Sequence, residues 1–457
     1  MTNNFTKFAK KMHAAQMSET VISSFKYFYD KLADGETGFL SRDTISVPDE
    51  KRIMDYNELG NGEKAPLEKL AVIKLNGGLG TSMGLAKAKS LLKIKGEHTF
   101  LDIIARQIMH YREIKKKDIP LLFMNSFNTS DDTLQYLEKY SRLKLNKLPL
   151  DFLQNKFPKV LAESLSPFED SDDLMTWNPP GHGEIYMVMK QSGVLDMLLA
   201  RGYRYIFISN SDNLGAVVDS RILEKMANDN ISFIMEVCYR TEMDKKGGHL
   251  AGDVNGKLIL RESAQCPAEE ITEFQDINHY RYFNTNNLWV DLQALDQKLA
   301  ENDNFLQLTP IMNKKHVNGK NVIQLESAMG AAINIFADSH AVVVNRDRFL
   351  PVKKTNEFLA VLSDAYELTE SWQLELAEGR KQAPQVNLDE HYYKNINDFE
   401  ERMARGIPSL KHCESLNVSG NIYFGENVRV NGKVSISASR KEEELVNRTF
   451  SDGEYNL

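Results

Sequence analysis

A strand-like run ends in Lys74-Leu-Asn-Gly-Gly-Leu-Gly-Thr-Ser-Met-Gly84, and Lys87 and Lys89 follow at once. Four glycines in eight positions (Gly77, Gly78, Gly80, Gly84) let a backbone turn sharply and approach a ligand closely. Successive amides in such a loop form a concave site for an anion, and the lysines add full positive charge. The spacing is not that of a P-loop, since no glycine is followed four residues later by Gly-Lys-Ser/Thr. It is not the dinucleotide fingerprint either: Gly78 and Gly80 fit, but Met83 holds the third position. A phosphate-binding turn remains, set against a plain tight strand–helix connection.

Other chemistry-bearing residues recur further along. Ser209-Asn-Ser-Asp-Asn-Leu-Gly215 follows the apolar run Tyr205–Ile208, which places Asp212 at a strand's carboxyl end. A carboxylate there suits Mg²⁺, which takes oxygen ligands and shares them with substrate phosphates; an Asp/Asn-rich turn reads the same way locally. Asn178-Pro-Pro-Gly-His-Gly-Glu-Ile-Tyr186 offers His182 within a turn, and Tyr282-Phe-Asn-Thr-Asn-Asn-Leu-Trp289 offers amides that suit hydroxyl-rich ligands. No Ser/His or Cys/His pair stands out among these segments.

Together these segments resemble, in order along most of the chain, the signature of the eukaryotic-type UTP–glucose-1-phosphate uridylyltransferases, a nucleotidyltransferase family with a Rossmann-like catalytic domain. The resemblance implies that Leu75, Asn76, Gly77 and Gly78 contact UTP and that Lys89 binds phosphate. It makes Gln154, in Asp151-Phe-Leu-Gln-Asn-Lys-Phe-Pro158, the reader of uracil, and puts Gly181, Asn210, Ser211 and Asp212 at the nucleotide, with Asp212 also holding Mg²⁺. His182 is implied at the sugar phosphate, and Asn284, Asn286 and Glu326 at the sugar itself. Lys353, in Phe349-Leu-Pro-Val-Lys-Lys-Thr-Asn356, is implied to return a second catalytic cation beside Lys89. Three departures from the family pattern are visible: Lys87-Ala88 for a usual Gly-Pro, Glu184 for a usual Asp, and the extra basic Lys354. The implied reaction is UTP plus glucose 1-phosphate giving UDP-glucose and pyrophosphate by Mg²⁺-assisted direct displacement. Its rivals are the same chemistry on galactose 1-phosphate or an N-acetylhexosamine 1-phosphate, and a nucleotide-sugar-binding regulator without catalysis.

The elements that must carry these residues follow from apolar rhythm. The runs Leu70–Leu75, Ile119–Met124, Tyr205–Ser209, Ile231–Val237 and Ala341–Val344 read as buried strands. Leu101, Ile104, Ile108 and Tyr111, and later Val194, Met197 and Leu198, mark helices between them. Strands alternating with helices predict a layered α/β domain with a mixed, mostly parallel sheet, spanning residues 67–390, and ligands at the strands' carboxyl ends. Residues 1–66 read as a helical N-terminal segment, from the three- and four-residue steps of Phe5, Phe8, Met12 and Ile22, Phe25, Tyr29, Leu32. In 391–457 the pairs Leu416/Val418, Ile422/Phe424, Val428/Val430 and Val434/Ile436 recur every six residues, with glycines between them. That period predicts a short left-handed parallel β-helix, with alternating antiparallel strands as the other reading. Its open end is an edge suited to self-association into a homo-oligomer.

Bulk properties narrow the class. The 457 residues carry a formal net charge of −8, 42% apolar and 26% charged residues, as expected of a globular protein and not of a general nucleic-acid binder. No apolar stretch is long enough for a membrane span, and the N-terminus lacks the apolar core of a secretory signal. Three widely spaced cysteines form neither a disulfide framework nor a metal-ligand set. The expected location is cytoplasmic.

Overall fold

The computed structural model describes residues 2–80, 83–85, 87–145, 147–439 and 442–457. Thr81 and Ser82 of the glycine-rich loop therefore lie outside the described residues.

An 11-stranded sheet forms the centre. Its main path uses strands β1 (Ile53–Asp55), β2 (Leu70–Asn76), β3 (Leu121–Asn125), β4 (Asp151–Leu153), β5 (Tyr205–Asn210), β6 (Phe233–Tyr239), β7 (Tyr282–Asp291) and β8 (Ser339–Val343). The spatial order is β1-β8-β6-β7-β5-β2-β3-β4. All neighbours are parallel except β7, which runs antiparallel to both β5 and β6. The sheet is thus mixed and mostly parallel. Its central strands are buried on both faces, which explains why they read as continuous apolar runs. In β2, Leu70 and Val72 point into one apolar cluster, and Ala71 and Ile73 into another across the sheet.

Helices cover the faces. α1 (Thr2–Ala14) and α2 (Glu19–Ala33) lead the chain, and α3 (Phe100–Lys115) follows β2. The start of α3 is set by a capping box, in which the Thr99 and Asp102 side chains each take up the other's backbone N–H. Its buried stripe of Leu101, Ile104 and Ile108 packs against the Leu70/Val72 face. The N-terminal pair buries Phe8, Phe25, Phe28 and Tyr29 against Phe157, Trp177 and Leu325. It thereby braces the ribbon Lys320–Glu326, whose last residue is one of the expected site carboxylates.

The helical reading of the first sixty or so residues holds only to Ala33. Beyond it, Ile45–Ser46 pairs with His249–Asp253 and β1 pairs with β8. Strands of two or three residues show no periodicity of their own; they exist because a distant partner supplies the ladder. The stretch from Gly60 to Pro66 is a connector, held down by Glu224, whose carboxylate accepts from the Gly62 and Lys64 amides.

At the C-terminus, β9 (Gln385–Leu388), β10 (Ser409–Ser419), β11 (Arg429–Ser437) and β12 (Thr449–Asn456) form a second sheet in which every pairing is parallel. Leu416 lies opposite Val434 and Val418 opposite Ile436, three six-residue steps further along the chain. The antiparallel reading of this segment is therefore wrong. The apolar side of this sheet is continuous with the cluster that includes α3. No described helix is long and apolar enough to cross a membrane.

Candidate active site

Leu75, Asn76, Gln154, Asn210, Ser211 and Asp212 sit at the carboxyl ends of β2, β4 and β5, and Asn284 and Asn286 in the amino-terminal half of the antiparallel β7. β2 ends at Asn76, a buried amide with no room to move. Its Nδ2 donates to Asn125 Oδ1 (2.8 Å) and Thr133 Oγ1 (2.9 Å), and its Oδ1 accepts from Ser211 Oγ (3.0 Å). Asn125 Nδ2 in turn donates to Asp151 (2.9 Å). This network locks the tips of three neighbouring strands together, so the Asn76 side chain is occupied with positioning. Ser211 is held as well, because its N–H donates to Leu75 O (3.0 Å), and Asn210 sits in register with Leu75.

The loop that follows explains its glycines unevenly. A Cβ on Gly77 would come 3.2 Å from Gln154 Oε1. Gly80 has φ +66°, and a Cβ there would meet Leu85 and Lys89. Gly78 has no such reason, since a Cβ there would meet nothing within 4 Å among the described residues. Gln154 is anchored through its N–H on Asn125 O (2.8 Å) and donates Nε2–H to Gly181 O (2.8 Å), which ties the expected uracil reader to the His182 loop.

Gly181 adopts φ +80°, and a Cβ on it would strike Ser327 O at 2.3 Å. Only glycine lets this turn lie against residues 326–329, and Glu326 and His182 are brought together by it. His182 Nδ1 accepts from Met329 N–H (2.9 Å). That bond sets the tautomer, leaving Nε2 as an N–H donor. Burial lowers the imidazole pKa to about 4, so the ring is neutral at physiological pH. Burial likewise raises the Glu326 carboxyl, opposed by a bond from Asn313. Glu184 accepts from Asn155 N–H (3.0 Å) and Nδ2–H (2.7 Å), and burial pushes its pKa up to about 8.

Lys89 Nζ donates to Asp212 Oδ2 at 2.7 Å. The loop after Asp212 is clamped to the segment bearing Lys353: Val352 N–H donates to Asp212 O (3.1 Å) and Leu350 N–H to Asn213 Oδ1 (2.8 Å). Lys89, the expected metal ligand and the backbone leading to Lys353 are thus brought together from three distant parts of the chain. Beneath them, Arg348 and the fully buried Glu236 form a two-bond ion pair (2.6 and 2.8 Å) that also takes Trp289 and Asn287 as donors. Lys74 is buried too, donating to Ser209 Oγ and Ala216 O at 2.7 Å each, with its pKa lowered by burial to about 7. It supports the floor and is not one of the phosphate lysines.

Asn284 and Asn286 bond each other, Nδ2 to Oδ1 at 2.9 Å, and Asn286 holds φ +59°, a conformation asparagine tolerates better than most residues. Beside them is a carboxylate that sequence reading missed. Glu262 bonds Asn284 and feels the charge of Lys353, while burial raises its pKa. Nothing near Glu262 in sequence signals a site; the clue is spatial, in Gly248, where a Cβ would fall 2.6 Å from its carboxylate oxygen.

No group of three or more His, Cys, Asp or Glu side chains among the described residues makes a protein cage for a metal. Asp212 alone, at the edge of a phosphate loop, fits Mg²⁺, which commonly takes one or two carboxylates plus substrate phosphates.

The family model for UTP–glucose-1-phosphate uridylyltransferase matches residues 22–431. The chain belongs to that family. It is 39% identical to the UTP–glucose-1-phosphate uridylyltransferase of Musa acuminata, over 93% of this chain and 91% of that one. A UDP-glucose pyrophosphorylase of Leishmania major, solved with UDP-glucose, superposes with a TM-score of 0.93 at 38% identity, covering all of both chains. A Trypanosoma brucei structure titled UDP-glucose phosphorylase does so at 0.92 and 41% identity, again over both whole chains.

Proposed function

We propose that this uridylyltransferase-family chain joins UTP and glucose 1-phosphate. A phosphate oxygen of the sugar attacks the α-phosphorus of UTP, the bond to the β-phosphate oxygen breaks, and UDP-glucose and pyrophosphate result. The sugar phosphate is already ionised at neutral pH, so the reaction needs alignment and charge neutralisation more than a general base. The observation that carries the reading is the convergence of Lys89, Asp212 and the Lys353 segment beside an open Gly78.

In this reading Gly77 and Gly78 lie against the nucleotide, Gln154 presents an amide to uracil, and Lys89 and Lys353 neutralise the triphosphate. His182, neutral and with Nε2–H directed outward from its Met329 bond, donates to the sugar phosphate, which it orients without taking its proton. Asn284, Asn286 and Glu326 hold the sugar hydroxyls. Asp212 would hold Mg²⁺ together with the substrate phosphates, and the ion would supply charge neutralisation there. The location proposed is the cytoplasm. Residues 391–457 are proposed to wind as a left-handed β-helix whose edge strand β12 joins a second copy.

The test is direct: purified protein, Mg²⁺, UTP and a panel of sugar 1-phosphates, followed by pyrophosphate release. Glucose 1-phosphate should be the best acceptor. UTP binding without release on any sugar would leave a nucleotide-binding regulator, and preference for another sugar would correct the specificity.

A further inference from the structure

On the face of α3 away from the sheet, Arg106 and His110 line a cavity of about 330 Å³ with Lys139, Tyr140, Arg142 and Trp372. It shares no residue with the site described above. Trp372 is its anomaly. It sits in the turn joining Tyr366–Leu368 to Leu374–Leu376, with its N–H donated to Thr369 O (3.0 Å) and φ at +62°. Hairpin turns of this kind put glycine or asparagine in the left-handed position, and a bulky ring there is a true outlier. The turn does not need tryptophan; the cavity uses it. The indole lies under the Arg106 guanidinium at 4.3 Å, with His98 at its edge (5.0 Å).

Arg106 is held but not satisfied. It spans Trp372 and, at 5.8 Å, Tyr140, yet its Nε is buried with no hydrogen-bond partner among the described residues. Arg142 is exposed at the rim. Lys139 spends part of its charge on Asp102 (2.7 Å), and Glu113 is the one acid on the wall. In a chain of net charge −8 this is a local excess of cations around a hollow. Guanidinium groups match phosphate oxygens in geometry and charge.

We propose that this cavity binds the phosphate group of a small molecule, between Arg106 and Arg142 and beside Trp372. The site is wired to the nucleotide loop. Gln107 Nε2 donates both to Trp372 O (2.9 Å) and to Leu214 O (3.2 Å), two residues after Asp212. Displacement of Trp372 is therefore felt at the Asp212 turn, a link that rests on the reading of Asp212 given above.

The experiment titrates inorganic phosphate into the full chain at constant ionic strength while tryptophan fluorescence is followed. A saturable change is expected, lost in Trp372→Phe, shifted at least about tenfold to higher phosphate in Arg142→Ser, and retained in Asp212→Asn. Absence of a saturable change, an Arg142→Ser response equal to wild type, or its loss in Asp212→Asn would overturn the site. Phenyl phosphate run in parallel separates a ring-bearing ester, if it binds tighter, from the free anion, if it does not; either result supports the phosphate site. Under saturating phosphate, a shift in UTP affinity that Gln107→Leu removes supports the wiring. Phosphate binding with UTP affinity unmoved overturns the wiring alone and leaves the proposed activity standing.

Discussion

Substituting Lys89 by Gln should move metal and nucleotide affinity in opposite directions. In the structure its ammonium is 2.7 Å from Asp212, with the side chains 12% and 23% exposed. A hydrogen bond between charged groups at that depth contributes about 2 kcal/mol net. While it stands, Lys89 occupies the carboxylate proposed to hold the metal, so a cation arriving alone must first break it. Lys89→Gln removes that competitor, and Mn²⁺, used as a spectroscopic substitute, should bind the nucleotide-free protein up to about thirtyfold tighter. The same change deletes a phosphate cation, so UTP should bind about tenfold more weakly or worse. Electron paramagnetic resonance titration of free Mn²⁺ and calorimetric titration of UTP measure the two halves. Unchanged Mn²⁺ affinity in Lys89→Gln, or UTP binding as tight as wild type, would refute the idea that Lys89 exchanges Asp212 for the triphosphate.

Asn76→Ala strands Asn125, Thr133 and Ser211 partners in a buried site and should cost about 2 kcal/mol in denaturant unfolding; UTP affinity should survive if the side chain only positions. For His182, the folded pKa of about 4 lies below the unfolded value of 6.5. Its neutral form therefore contributes stability above pH 6.5 that is lost as pH falls through 4, roughly 3 kcal/mol at most. His182→Asn should flatten the melting profile across that window and weaken sugar-phosphate use, whereas an unchanged profile would count against a buried neutral imidazole. Charges changed at exposed positions of β12, as in Thr449→Lys with Glu454→Lys, should reduce any homo-oligomer seen by light scattering while turnover persists. Removing everything after Ser409 is the poorer test, because Leu410, Leu416 and Val418 belong to the same apolar cluster as α3.

Much of the site was legible because its chemistry is local. The Gly77–Gly80 turn, the Asp212 turn after β5 and the Pro-Pro-Gly-His segment each carry their residue types in a few consecutive positions, and parallel strands buried on both faces announce themselves as apolar runs. The six-residue rhythm near the C-terminus was visible for the same reason, since each step repeats one local environment. Parallel pairing was not, because antiparallel strands share the alternation of side chains and only the partner decides between them.

What the residues determined on their own was therefore an inventory: a glycine-rich turn with lysines after it, a carboxylate behind a strand, an asparagine-rich segment and an alternation of strands and helices. Tertiary structure decided which of these act and which support. It turned Asn76 inward to lock three strand ends and buried Lys74 as a floor. It brought Glu262 beside Asn284 and Lys353, and set Lys89 on Asp212. Each outcome depends on burial and on groups far apart in sequence, and both arise only when the strands assemble. A hydrogen bond between residues 123 positions apart leaves no trace in the spacing of either one.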